Sequence, residues 1–485
     1  MKVDMFVGRE NELSFLNDVL TRKRPGPAQL ILVYGRRRVG KTSLLRKWTA
    51  QAKIPFTFFS AEKEPAALQR RKLYAAVLGV EVAQSPIFSR WVDTWESIAK
   101  VIGDQRHILV FDEFPYATES DPALLSSLQN AWDQSLKSSN IILVLCGSQI
   151  HTMEMLMSHQ SPLFGRMTGQ WHLLPLPYSS LKQFFPGRSA EERVATYAMV
   201  GGVPAYIEWL DPDQSLVENI RQVVLSPGSM FVAEPMFLLY DEMRDPHVYL
   251  AIIEAIGEGA HTLHDIAERS LIDSAHLSAY LARLQELALV ERRLPALVPK
   301  MRTHVSRMGR YHLQDAYFRF YFRFLAPYRN SIPFDPNPVL AQIQDGLRAF
   351  VGQTAFEELS REWTARQSRG GGPLFETETV GSHWSSKVQV DLVAINWHTK
   401  DILLGECKWT ESRIDRQIVR DLIDNKTPAT LKELPDQRKG WKVHHIFFAR
   451  NGFTPAASAQ IQAQAAQAID LITLDNDFEN LTSPG

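Results

Sequence analysis

Residues 30–42 read LILVYGRRRVGKT, and the helix-forming stretch KTSLLRKWTAQA (41–52) continues from them. An apolar strand thus runs into GRRRVGKT (35–42), a full GxxxxGKT pattern that opens a helix, the context in which this spacing cradles a nucleotide phosphate. Gly35 and Gly40 permit a tight loop whose backbone N–H groups turn inward, and the helix N-terminus adds positive potential. Lys41 would reach the β- and γ-phosphates, and the Thr42 hydroxyl would ligate Mg²⁺. The stretch Gly35, Arg36, Arg37, Arg38, Val39, Gly40, Lys41, Thr42 and Ser43 is therefore expected to surround ATP, its three arginines mid-loop, where side chains usually face solvent.

Four more strand-like runs, FTFFS (56–60), HILVFDE (107–113), IILVLCGS (141–148) and WHLLPL (171–176), are separated by helix candidates such as DPALLSSLQNAWDQSLK (121–137). This alternation predicts an α/β fold, a parallel P-loop sheet covered on both faces. HILVFDEF ends in two carboxylates: Asp112 would hold Mg²⁺ through water, and Glu113 would polarise the attacking water. Ser148, closing the next strand, is placed to sense the γ-phosphate, although strands often end in Gly-Ser without such a role.

The 485 residues allow roughly three or four domains. A content of 45% hydrophobic and 22% charged residues excludes disorder as the main state and a fibrous repeat. Lys+Arg 53 against Asp+Glu 54 leaves a net charge of −1, so any contact with nucleic acid has to be a local patch. Cys146 and Cys407 lie in separate apolar runs. That excludes a disulfide framework and suits a reducing cytosol. The start of the chain lacks a basic-then-apolar leader pattern, and no uncharged apolar run approaches the roughly 20 residues of a membrane span. The expectation is a cytoplasmic, multidomain protein without a membrane partner.

FVGRE (6–10), GRRRVGKT, VFDEF (110–114), CGS (146–148), LFGRMTG (163–169) and GGVPAYI (201–207) stand in this order. The N-terminal half so marked resembles a prokaryotic ATPase family catalogued mainly from archaea, of the AAA-like, STAND-class P-loop NTPases. The resemblance implies ATP hydrolysis, an hhGRE segment near the adenine, and a Gly-x-Pro motif after the core, matched by Gly202-Val203-Pro204. It offers Arg166 as a contact to the γ-phosphate, against the alternative of a surface ion pair with a local carboxylate. Gln149 departs from the second small polar residue the family often has there. This class often completes its sites between subunits, so a homo-oligomer is expected.

Four units are expected: an ATPase core at 1–180, a helical lid at 181–245, a winged helix-turn-helix at 246–330 and a C-terminal α/β unit at 345–485, set off by SIPFDPNPV (331–339). In the third, YLAIIEAIGEG, HTLHDIAERSL and SAHLSAYLARLQELALV predict helices, and VERRLPA and RYHLQD predict strands. Segment 262–290 carries only Arg269 and Arg283, whereas 291–310 carries Arg292, Arg293, Lys300, Arg302, Arg307 and Arg310 against the single acid Glu291. Such a wing fits phosphate backbone without reading sequence; a docking module is the alternative.

The last unit opens with a helix around FVGQTAFEELSREW, followed by strands VQVDLVAI, DILLGECKW, VHHIFFAR and LITL and by helices near 412–424 and 455–468. Strand alternation puts Glu406 and Lys408 on one face, and a hairpin sets Asp391 beside them. Two carboxylates with a lysine are what metal-dependent phosphodiester cleavage requires. Asp391 and Glu406 would hold Mg²⁺ or Mn²⁺, and Lys408 would orient water or steady developing charge. This D…ExK pattern resembles the PD-(D/E)xK nuclease superfamily, which implies a restriction-endonuclease-like fold, DNA as partner and an acid on the first helix, here Glu357 with Glu358 adjacent. His383, Trp384 and Trp409 lie where they would stack on bases, although tryptophans beside a strand more often pack in the core or at its rim. Two other functions compete. One is a nucleotide-switched signalling protein whose C-terminal domain binds nucleic acid or protein without cleaving. The other is an ATP-dependent transcription regulator, which the base-poor helix 274–290 argues against.

Overall fold

The computed structural model describes residues 6–22, 24, 26–242, 245–299, 306, 308–369, 372–434 and 440–480. The chain falls into two compact units, Met1–Leu176 with Val203–Ala205, and Pro177–Gly202 with Tyr206–Gly485. Among the described residues no helix is long and apolar enough to cross a membrane.

The first unit is built on β1 (Gln29–Tyr34), β2 (Phe56–Ser60), β3 (His107–Asp112), β4 (Ile141–Gly147) and β5 (Gly169–His172), all parallel in the order β2-β3-β4-β1-β5. Every residue of β1 and β4 is buried. One face packs on Trp91, Trp95, Leu128 and Trp132, the other on Leu16, Val19, Leu44 and Trp48. Cover on both faces is why these strands read as unbroken apolar runs. Tyr34, ending β1, pairs with Gly147 of β4 and with His172 of β5. The run WHLLPL is strand only through His172; Leu173 still donates its N–H to the Tyr34 carbonyl at 2.7 Å, and Pro175 then supplies no donor to continue the ladder.

In the second unit, helix Ala190–Val200 begins with a capping box, Ser189 Oγ accepting from the Glu192 N–H while the Glu192 carboxylate accepts from the Ser189 N–H. Helices Pro246–Gly257, Leu263–Ser270 and Ser274–Glu286 lead to an antiparallel ribbon of β6 (Val290–Arg293) and β7 (Arg310–Leu313). Helix Glu357–Gln367 then precedes a mixed sheet of β8 (Thr379–Trp384), β9 (Gln389–Asn396), β10 (Asp401–Lys408), β11 (Lys442–Ala449) and β12 (Gln467–Asp470), ordered β12-β11-β10-β9-β8. β8, β9 and β10 are antiparallel, whereas β10, β11 and β12 are parallel.

The end of the chain departs from the sequence expectation. LITL (471–474) is not a strand but the first turn of helix Leu471–Asn480, and the strand is the QAID segment before it. Leu471, Leu474 and Phe478 bury one helical face at i, i+3 and i+7, and a four-residue run is too short to show that period. Polar contacts seat this helix on the segment that begins the unit: Asp475 accepts from Tyr178 Oη at 2.6 Å and pairs with Arg193, and Lys182 meets Glu479 at 2.5 Å.

Glu358 is the hub of an ion network. Its carboxylate receives Arg319, with one bond at 2.8 Å, and Arg293 of β6 at 2.6 Å. Burial pushes the Glu358 carboxyl up, but Arg319 and then Arg293 outweigh it and hold it below the usual carboxylate range. Removing one partner of such a network leaves the other charges uncompensated. Glu358→Gln is therefore expected to cost about 3 kcal/mol of unfolding free energy, read as a lower urea midpoint at pH 7. The depressed folded value means that this contribution is present above the unfolded carboxyl's 4.5 and is lost as pH falls below it. Equal midpoints for variant and wild type at pH 7 would discard the network as a stabiliser.

Candidate functional site

Gly35 leaves β1 where the backbone of Leu173 passes close by. A Cβ at Gly35 would lie 2.3 Å from the Leu173 carbonyl oxygen, so only hydrogen fits. Gly40, at φ +91°, closes the loop in the left-handed region and leads into helix Lys41–Gln51. Lys41 is buried, and its Nζ donates to the carbonyls of Gly35 at 2.8 Å and Arg36 at 3.0 Å. Burial pulls its ammonium below the ordinary lysine value, against the opposing pull of Cys146, Glu113 and Asp112. Thr42 Oγ1 donates to Asp112 Oδ2 at 2.7 Å, joining helix and strand through two hard oxygen donors.

Glu113 follows Asp112 in the left-handed region, at φ +50°, which a side chain adopts only where its surroundings dictate it. Its N–H donates to Asp112 Oδ1 at 3.1 Å, and its Oε2 accepts from Ser148 Oγ at 3.0 Å. The Ser148 hydroxyl, expected at the γ-phosphate, thus engages Glu113. Arg37 donates to Tyr116 Oη at 2.7 Å, Arg38 holds φ +67°, Val39 is buried, and Ser43 is exposed. Arg166 donates twice to Asp133, at 3.1 and 2.6 Å, and also to the carbonyls of Pro162 and Phe164. Its guanidinium forms the local ion pair named as the alternative, and among the described residues no hydrogen bond joins it to the phosphate loop.

In the second unit, Gly405 of β10 pairs with Leu392 of β9, so Asp391 and Glu406 follow as neighbours at that end of the hairpin. Asp391 Oδ2 accepts from the Cys407 N–H at 3.1 Å and lies 3.7 Å from Lys408 Nζ. Lys408 Nζ donates to Glu406, confirming that the two share a face. Glu406 also accepts from Lys426 at 2.8 and 3.0 Å. Glu357 stands opposite: Arg361 spans its carboxylate (3.3 Å) and the Asp391 carbonyl (3.2 Å). Burial first, and the Asp391 charge second, push the Glu357 carboxyl up to about 7. Among the described residues no cluster of three or more His, Cys, Asp or Glu side chains is spaced to hold a metal.

The aromatic residues weighed for stacking on bases take the packing alternative. His383 is buried against Glu433 (2.8 Å), and the Trp384 Nε1–H donates to the Met308 carbonyl (3.2 Å) while Arg310 covers its ring at 4.9 Å. Trp409 packs on Phe356 and Arg450. Of the basic wing, Arg292 donates to the Ser306 carbonyl, and Arg293 to Glu291 and Glu358. Lys300, Arg302 and Arg307 lie outside the described residues.

A family model described as an ATPase domain predominantly from Archaea matches residues 6–210. A second, described as archaeal and bacterial proteins of unknown function, matches residues 321–419. The uncharacterized protein MJECL04 of Methanocaldococcus jannaschii is 32% identical over 426 residues, spanning 86% of this chain and 91% of that protein. The chain belongs to this mainly archaeal ATPase family. The uncharacterized ATP-binding protein MJ0423 of the same organism is 48% identical over 50 residues, 10% of this chain and 80% of that protein. Among solved structures, the Walker-type ATPase paby2304 of Pyrococcus abyssi is similar at 19% identity and a TM-score of 0.47, covering 66% of this chain and 96% of that one. The ORC2 protein of Aeropyrum pernix is similar at 14% identity and a TM-score of 0.46, covering 72% and 97%.

In this ATPase several contacts around the sites are ones that the motifs by themselves do not announce. Buried Arg9 of the GRE segment donates to the Val39 carbonyl at 2.9 Å, fastening that segment to the phosphate loop. Pro204 returns to the first unit, its Cγ 4.0 Å from where a Gly40 Cβ would stand. Burial, then Asp112, pushes the Cys146 thiol far above its ordinary value, so it is an inert neighbour of the site. Lys426 lies 20 residues beyond Glu406, with no spacing to announce it, whereas Arg361 stands four residues after Glu357 on one helix and could have been read as its partner. Because backbone blocks a Cβ at position 35, Gly35→Ala is expected to lower stability by about 1–3 kcal/mol and abolish nucleotide binding. Isothermal titration with ATP and a thermal melt check this, and unchanged affinity would reject the close approach as a requirement.

Proposed function

We propose that the protein is an ATP hydrolase whose cycle governs a C-terminal domain that cleaves phosphodiester bonds of DNA with a divalent cation. In the first unit, the backbone amides of 35–42 and the Lys41 ammonium hold the phosphates. Thr42 and Asp112, already 2.7 Å apart, would bind Mg²⁺, which neutralises phosphate charge. Glu113 accepts the proton of the attacking water, and Ser148 holds its carboxylate until nucleotide arrives. We assign the helices and ribbon of 246–330 to a winged-helix-type unit and 345–485 to a nuclease-like domain, a reading supported by the helix, the three antiparallel strands and the parallel strand that follow one another there.

The observation that carries the cleavage reading is that Glu357, Asp391 and Lys408 line one cavity. The Glu357 and Asp391 carboxylates are hard oxygen donors of the kind Mg²⁺ or Mn²⁺ takes, and a cation beside Asp391 would offset the part of the rise in the Glu357 carboxyl that comes, after burial, from the Asp391 charge. Asp391 and Glu406 would hold the cation, and Lys408 would steady charge on the phosphate. A second reading has its own support. Glu406 is neutralised by both Lys408 and Lys426, which favours a nucleotide-switched protein whose C-terminal domain binds without cleaving.

Glu113→Gln is expected to keep ATP affinity and to lower turnover at least about 100-fold, measured as phosphate release. Asp391→Ala should lose cleavage of linear and supercoiled DNA in Mg²⁺ or Mn²⁺ while ATP turnover is retained. Absence of cleavage by wild type alongside measurable ATP turnover would establish the second reading.

A further inference from the structure

The cavity beside Asp391 has a volume of about 700 Å³ and lies wholly within the second unit. One wall is the ribbon and the turn after helix Pro246–Gly257; the other is the sheet edge and the helices leading to Glu357. Six cationic residues line it against three carboxylates, Glu258, Glu357 and Asp391. Most of the cations are committed: Arg293 and Arg319 to Glu358, Arg361 to Glu357, and Lys408 to Glu406. Arg310 and Arg323 are not, and among the described residues neither has a carboxylate partner. Arg323 is exposed, and the Arg310 guanidinium lies over the Trp384 ring, 4.9 Å from its centroid. The exposed amides of Gln353 and Gln389 line the space between the walls. Two of the lining histidines are held toward the neutral form: burial, then His261, Arg293 and Arg319, push His312 down to about 2, and burial lowers His261.

Two uncompensated guanidiniums and neutral amide donors, ending at a lysine and a carboxylate, form a track for a chain of phosphates. We propose that this cavity receives a single strand of nucleic acid, with Arg310 and Arg323 holding backbone phosphates on the approach to Asp391 and Lys408. The proposal rests on the reading of Asp391 and Lys408 as a cleavage site and names the form of substrate that reaches it. The volume falls within the range of small-ligand pockets. It takes a few nucleotides of one strand and no duplex. The helical unit and its ribbon thereby serve as a wall of the C-terminal site rather than as a reader of duplex grooves, in keeping with the base-poor helix Ser274–Glu286.

Fluorescence anisotropy of a labelled single-stranded deoxyoligonucleotide on the full-length protein in EDTA tests this, with the matched duplex and inorganic phosphate as competitors. Expected is preference for the single strand by tenfold or more, and at least tenfold weaker binding by Arg310→Ala/Arg323→Ala. The slope of log affinity against log salt should fall by roughly 1.4 for two lost contacts. Arg323→Glu alone, at an exposed position that leaves the fold intact, should weaken binding in the same direction. Equal binding of duplex, displacement by inorganic phosphate at equal phosphate concentration, or variants that bind like wild type would each overturn the proposal. Arginine-dependent strand binding without cleavage in Mn²⁺ would overturn only the cleavage reading. Cleavage of the strand with unchanged KM in the double variant would overturn only this inference.

Discussion

Strand β1 is paired along both edges, to β4 on one side and β5 on the other, and the first unit's chemistry hangs from that constraint. Because the registers are parallel and end together, Gly35, Asp112, Glu113 and Ser148 emerge at the same edge of the sheet. The backbone of Leu173 then crosses so close to position 35 that the loop can begin only with glycine. From that fixed start, Lys41 turns back on the Gly35 carbonyl and Thr42 meets Asp112. The strain of Glu113 in the left-handed region is balanced by its bond to Ser148 and by the Asp112 carboxylate under its N–H.

The second unit is organised by charge placed among apolar neighbours. Glu357 and Glu358 are adjacent on one helix, and at about 100° per residue they face different surroundings. Glu358 meets Arg319 and Arg293 and stays ionised, whereas Glu357 meets Asp391 and a single arginine and holds its proton near neutrality. The first contact is structural and ties β6 to the helix; the second faces a cavity. Buried charge that is paired contributes to the fold, and charge that is left over marks where an ion or polyanion can be received. By that criterion Arg310 and Arg323 are the cations left over at the cavity, and Arg293 is not.

The limits of sequence reading show in particular residues. Arg166 stands in a motif and invites a catalytic role, yet Asp133, 33 residues away, takes its guanidinium. Ser148 invites contact with phosphate, yet its hydroxyl reaches the carboxylate one strand over. His383 and Trp384 lie beside a strand where stacking and packing were both open, and β8 buries both: Glu433 meets the His383 Nε2, and the Met308 carbonyl accepts from the Trp384 Nε1–H. LITL reads as a strand because so short a run fits either period.

GRRRVGKT, the unbroken apolar strands and the D…ExK spacing were legible in the chain because loop geometry, two-sided burial and strand alternation act over a few consecutive residues. The family's motifs belong to that local level as well, whereas the order of the strands in each sheet is decided by pairing between distant segments. The pairing of Glu406 with Lys426, the capture of Arg166 by Asp133, the Arg9–Val39 clamp and the cavity between ribbon and sheet arise only on folding. A buried charge takes whichever opposite charge packing brings within a few ångströms, and packing joins residues that sequence separation leaves unrelated.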